Sequence, residues 1–83
     1  MTPAAIQPLT TIEIGGTAVV REIKIPPAHR SRLLEMGLLV GTKVELVRFA
    51  PLGDPVEIRV RGYNLTLRKN EAELIMVQPQ SAA

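Results

Sequence analysis

The stretch Asp54-Pro55-Val56-Glu57-Ile58-Arg59-Val60-Arg61-Gly62-Tyr63-Asn64-Leu65-Thr66-Leu67-Arg68, residues 54–68, decides the fold. Val56, Ile58 and Val60 share one parity while Glu57, Arg59 and Arg61 share the other, which is the period-2 pattern of a strand buried on one face. After Gly62 the alternation resumes, with Tyr63, Leu65 and Leu67 set against Asn64, Thr66 and Arg68. Two half-buried strands separated only by Gly62 predict a hairpin closed by a tight turn.

Upstream, Thr42 to Phe49 begins with Val44 and Leu46 inward and Lys43 and Glu45 outward, and then Arg48 takes the inward parity. That phase break predicts a bulge or sharp bend near Leu46-Val47. Thr17 to Ile25, rich in Val and Ile, reads as a strand opened by Gly15-Gly16 and closed by Pro26-Pro27. A short last strand is expected over Leu74 to Val77. Between the first two strands lies one helix. Pro27 suits its first turn, Leu33, Leu34 and Met36 give an apolar stripe, and Arg30, Arg32 and Glu35 occupy the wet side. Gly37 ends it as the left-handed residue of a Schellman motif, which sets Leu38 against Leu33. Gly41 marks the turn into the next strand.

Five short strands with one helical insertion are too few for a two-sheet sandwich, so the expected fold is mainly β, a small and strongly bent barrel. The chain has 83 residues, enough for one domain that buries roughly 60–65% of its unfolded surface. The domain is expected over residues 9–77, between loose ends at 1–8 and 78–83 that are rich in Pro, Ala, Gln and Ser. Hydrophobic residues make up 46% and aromatics 2%, so the core must be aliphatic. No stretch suits a membrane span and the N-terminus lacks a signal-peptide pattern; a soluble, cytoplasmic protein is the expectation.

The inventory also limits the chemistry. There is no Cys and a single His, His29, so no Ser-His-Asp, Cys-His or multi-His arrangement assembles within one chain. Glu22, Glu45 and Glu57 alternate with apolar residues and Glu35 flanks the helix, where solubilising charges belong. An enzyme is not expected. No cofactor is expected either. A divalent transition metal fits only as a weak site or one shared between molecules, for example by His29 and a neighbour's Glu. Gly15-Gly16 is a turn with no phosphate cradle. Arg59, Arg61 and Arg68 could form a basic stripe for single-stranded nucleic acid, but Tyr63 and Phe49 are the whole supply of stacking platforms and the net charge is only +2. Nucleic acid is therefore not an expected partner. The remaining distinctive segment is Ala50-Pro51-Leu52-Gly53-Asp54-Pro55. Pro51 and Gly53 make a rigid turn and Asp54 before Pro55 favours an extended exit; the segment is either a turn and nothing more or a turn that displays Leu52 to a protein partner, with Pro51 to Pro55 as the candidate contact.

The order Leu9-x-x-Ile12, Gly15-Gly16, Arg32-Leu33, Met36-Gly37-Leu38, Gly41-Thr42-x-Val44, Ala50-Pro51-x-Gly53-Asp54-Pro55 and Leu65-x-Leu67-Arg68-x-x-Glu71-Ala72-x-x-Ile75 resembles the FeoA family of small ferrous iron transport proteins. The resemblance covers Leu9 to Val77. Val40 departs from it where the family often has Pro, which bears only on the stiffness of the turn. The resemblance implies a barrel like a Src-homology-3 domain, related to the C-terminal domain of iron-dependent repressors. It also implies an accessory of ferrous iron uptake that binds the cytoplasmic GTP-binding domain of the membrane transporter FeoB and reaches the membrane only through it. Contacts are expected at Pro51 to Pro55, at Arg32 on the helix flank, or at Arg59 and Arg61. The competing readings are a transition-metal-binding regulatory domain and a weak single-stranded nucleic-acid binder. An aliphatic surface patch would also allow self-association into a homo-oligomer.

Overall fold

The computed structural model describes residues 6–80. Its elements in chain order are β1 (Gln7–Pro8), a 3-10 turn (Leu9–Thr11), β2 (Thr17–Ile23), α1 (Pro27–Glu35), β3 (Lys43–Phe49), β4 (Val56–Val60), β5 (Tyr63–Leu67), α2 (Lys69–Glu73) and β6 (Ile75–Pro79). All six strands join one antiparallel sheet in the order β1-β6-β2-β3-β4-β5.

The hairpin forms in the expected register, with Ile58 opposite Leu65 and Val56 opposite Leu67. Its turn has two residues. Val60 pairs with Tyr63, and Arg61 and Gly62 between them both have positive φ, 54° and 90°. Arg61 thus leaves the strand face on which parity placed it beside Glu57 and Arg59. The bulge in β3 is also present: Leu46 faces Ile58 and the next pair is Arg48 with Glu57. The extra residue returns Arg48 to solvent, where it donates to Glu57 at 2.9 Å. A second shift, between Val20 and Glu22, interrupts the pairing of β2 with β6. Each bulge sharpens the local bend.

Val56, Ile58, Val60, Leu46 and Val20 are fully buried in one aliphatic cluster, with Met36 and Phe49 packed against it and no buried polar residue among the described residues. Among the described residues one sheet supplies this face and no second sheet covers it. The sheet therefore bends round its own core, and Leu9, Leu33 and Ala72 from the helical segments fill the remaining space.

α1 ends as expected. Gly37 has φ +88°, its N–H donates to the Leu34 carbonyl at 3.0 Å, and the Leu38 N–H donates to the Leu33 carbonyl at 3.0 Å. Both bonds of the Schellman motif are made, and Leu33 and Leu38 are both fully buried. At Gly41 the N–H donates to Val20, tying the turn to β2.

Other expectations are corrected. Leu34 is exposed, and only Leu33 of the α1 stripe is fully buried. Arg30, placed on the wet side, is half-buried and donates to the carbonyls of Ile23 and Ile25 at 2.9 and 3.0 Å, which fastens α1 to the end of β2. Tyr63 is 45% exposed because it stands at the hairpin end, past the edge of the core. The first strand stops at Ile23, and the last runs Ile75–Pro79. The sheet also passes the expected limits of 9 and 77: Gln7 and Pro8 pair with Val77 and Met76, and Gln78 and Pro79 pair with Val19 and Ala18. These flanks join through backbone bonds, which side-chain alternation does not report. The loose ends expected at 1–5 and 81–83 lie outside the described residues.

Candidate docking site

The turn between β3 and β4 is closed by its own backbone. Gly53 N–H donates to the Ala50 carbonyl at 2.7 Å, and Ala50 N–H donates to the Pro55 carbonyl at 3.0 Å. Leu52 stands at the apex with 96% of its surface exposed. A large aliphatic side chain held there gains nothing from the core. Asp54 faces the other way: its Oδ1 accepts from the Lys69 N–H at 3.0 Å. The turn is thereby tied to the first turn of α2.

The next link runs through Glu71. Its Oε1 accepts from the Arg68 N–H at 3.1 Å, one half of a capping box, and both its oxygens accept from Arg32 Nη2 at 3.1 and 3.0 Å. Arg68 has no acceptor with which to return the other half. The Glu71 side chain is 16% exposed and that of Arg32 51%, so the pair is partly screened and contributes about 1 kcal/mol at most. Its larger effect is positional. It holds Arg32 of α1 across a groove lined also by Ser31, Pro55, Thr66 and Arg68. Arg32 and Pro55, proposed separately from the sequence, thus border one groove, with Leu52 on the loop beside it.

The three arginines of the supposed stripe do not share a face. Arg59 on β4 is engaged by Glu45 at 3.5 Å and by Asn64 at 3.4 Å, Arg61 sits in the hairpin turn, and Arg68 precedes α2. Glu22 and Glu35 are exposed, and Glu45 and Glu57 are paired with arginine. Among the described residues no group of three or more His, Cys, Asp or Glu could hold a metal ion, so the residues present do not fit a resident metal site. His29 is exposed at the mouth of the Arg32 groove. No helix of the described residues is long and apolar enough to cross a membrane.

Sequence reasoning missed the roles of Glu71 and Arg30 and the bond that Asp54 accepts from the Lys69 N–H. The spacing Arg68-x-x-Glu71 was a usable signal for Glu71, because it is the capping-box interval; the arginine at the cap position concealed it.

The comparisons with known proteins agree with this architecture. A Fe(2+) transport protein A/Fe(2+) transporter FeoB fusion protein from Porphyromonas gingivalis is 37% identical over 70 residues, which cover 84% of this chain and 8% of that protein. The chain therefore spans less than a tenth of the length of that relative. The solution structure of FeoA from Chlorobium tepidum superposes with a TM-score of 0.87 at 42% identity, covering 93% of this chain and 73% of that one. FeoA from Stenotrophomonas maltophilia, a prokaryotic SH3 domain protein solved with zinc, gives a TM-score of 0.70 at 26% identity, covering 93% and 99%. A manganese-dependent transcriptional repressor shares the fold, with a TM-score of 0.82 at 16% identity over 96% of this chain and 44% of its own. The FeoA domain model matches residues 7–79, the span of the six-stranded sheet, and this small Src-homology-3-like barrel belongs to the FeoA family, associated with ferrous iron transport.

Proposed function

We propose that this domain is a non-enzymatic cytoplasmic accessory of ferrous iron uptake, which docks on the cytoplasmic GTP-binding domain of FeoB and modulates transport. The observation that carries the reading is Leu52, almost fully exposed on a backbone-closed turn that Asp54 ties to α2. Such a rigid apolar projection loses little conformational freedom when it is buried by a partner. The fusion of a related sequence to FeoB in one polypeptide supports the choice of partner, since linkage raises the local concentration of one module at the other. Arg32, beside the same groove, supplies a charged rim to an apolar contact.

Calorimetric titration of the chain against the FeoB cytoplasmic domain tests this. Leu52→Ser is expected to weaken binding at least tenfold while leaving the melting temperature unchanged, because the side chain is almost fully exposed. Absence of binding by the unaltered chain, together with normal iron uptake in cells that lack it, would refute the proposal.

A further inference from the structure

Strand β5 ends the sheet and pairs on one side only, with β4. Because the hairpin closes through two residues, the pairs Val60 with Tyr63, Ile58 with Leu65 and Val56 with Leu67 exchange backbone hydrogen bonds. The N–H and C=O groups of Asn64 and Thr66 then point away from β4. Neither residue forms a backbone hydrogen bond to another element among the described residues. The opposite edge, β1, is two residues long, whereas β5 has five. Beside Thr66 the β5 edge opens into the groove walled by Ser31 and Arg32 of α1, with a volume of about 630 Å³. That lies within the range of ligand clefts, roughly 300–1,000 Å³.

The charged side chains carried by β5 and its flanks have one sign. The carboxylates that approach them, Glu57 at the Asn64 amide, Asp54 at the Lys69 N–H and Glu71 at the Arg68 N–H, are each held by a hydrogen bond of the fold. Residues 61–70 contain Arg61, Arg68 and Lys69 and no carboxylate. None of the three makes an ion pair among the described residues, and the one acid in the groove, Glu71, is occupied by Arg32. A second copy of the chain would be a poor occupant. Antiparallel pairing of two β5 edges brings the turn that carries Arg61 in one copy toward Arg68 and Lys69 at the strand end of the other, which gathers like charges at both ends of the seam.

We propose that the free edge of β5, facing α1, is a strand-addition site for an extended, acidic segment of a partner protein. The segment's backbone pairs with Asn64 and Thr66, and its carboxylates meet Arg61 and Arg68 at the two ends of the strand. The assignment stands on the edge and its charges, and holds whichever protein supplies the segment.

The test uses the full isotope-labelled chain and a blocked synthetic heptapeptide of alternating Glu and Val at low ionic strength. Binding is expected to shift the amide resonances of Asn64 and Thr66 and to slow their hydrogen exchange. Methylating alternate peptide nitrogens in one phase should weaken binding about fivefold for each backbone bond lost, and in the other phase should leave it intact. A peptide with Lys for Glu should not bind. Thr66→Pro removes an edge-facing N–H outside the β4 ladder and should weaken binding about fivefold; Arg68→Glu, which leaves the strand unaltered, should weaken it as well. No binding, equal binding of both methylated peptides, resonance shifts confined to another surface, or a dimer in sedimentation that Thr66→Pro dissociates would each overturn the proposal.

Discussion

Gly37 carries two constraints that are separable by mutation. Its φ of +88° is demanded by the Schellman motif, and a Cβ added there would stand 3.3 Å from both Arg61 Cδ and Tyr63 Oη. The first contact is with a flexible side chain and can yield, so the backbone term dominates. Gly37→Ala is expected to cost about 1 kcal/mol or more and to lower the melting temperature by about 4–8 °C. An unchanged melting curve would show that α1 does not depend on this cap. Asp54 offers a second separation, between stability and docking. Asp54→Ala removes the acceptor for Lys69 N–H and should cost about 1 kcal/mol in urea denaturation, while Asp54→Asn keeps a side-chain oxygen and should retain most of it. If partner affinity follows the Ala variant but is preserved in Asn, Asp54 acts by holding the turn and its charge is not itself read by the partner.

The β4–β5 hairpin shows how far alternation can be read along an element. Inward parity identified Val56, Ile58, Val60, Leu65 and Leu67, all of which are buried. It could not find the end of β4, because Arg61 keeps the parity of Glu57 and Arg59 although it has left the strand. The bulge at Leu46-Val47 was legible for the opposite reason, since Arg48 broke parity inside an otherwise apolar stretch. α2 was not legible: five residues hardly exceed one helical turn, so no periodic stripe develops. The turn itself yields a prediction. Two positive φ angles in a two-residue hairpin loop favour Asn-Gly, and Arg61 is the one non-glycine residue with positive φ among the described residues. Arg61→Asn should stabilise the chain by about 0.5–1 kcal/mol, seen as a rise of a few degrees in the melting temperature. A fall would mean that the Arg61 side chain makes contacts worth more than the backbone strain.

At the scale of the molecule, the site was less legible than the fold because its parts come together only through long-range contacts. Leu52 was visible locally, as an apolar residue between Pro51 and Gly53. The meeting of Arg32 with Glu71, and of Asp54 with Lys69, depends on how the sheet curls, and no local spacing encodes that. The core has the opposite character: among the described residues it is one aliphatic cluster with no second cluster to hold a fragment together. In a chain of 83 residues total stability is on the order of 5–15 kcal/mol, so one central residue accounts for much of it. Ile58 is fully buried in the middle of β4, between Leu46 on one neighbouring strand and Leu65 on the other. Ile58→Ala should therefore cost about 2–5 kcal/mol and Ile58→Val about 0.5–1.5 kcal/mol. There is no Trp and Tyr63 is half-exposed, so far-ultraviolet circular dichroism is the suitable probe. Both variants should unfold in a single transition, shifted to lower urea with the slope unchanged. A second transition in Ile58→Ala would show that the hairpin and the β1-β6-β2 side of the sheet unfold as separate units, which a single continuous core does not allow.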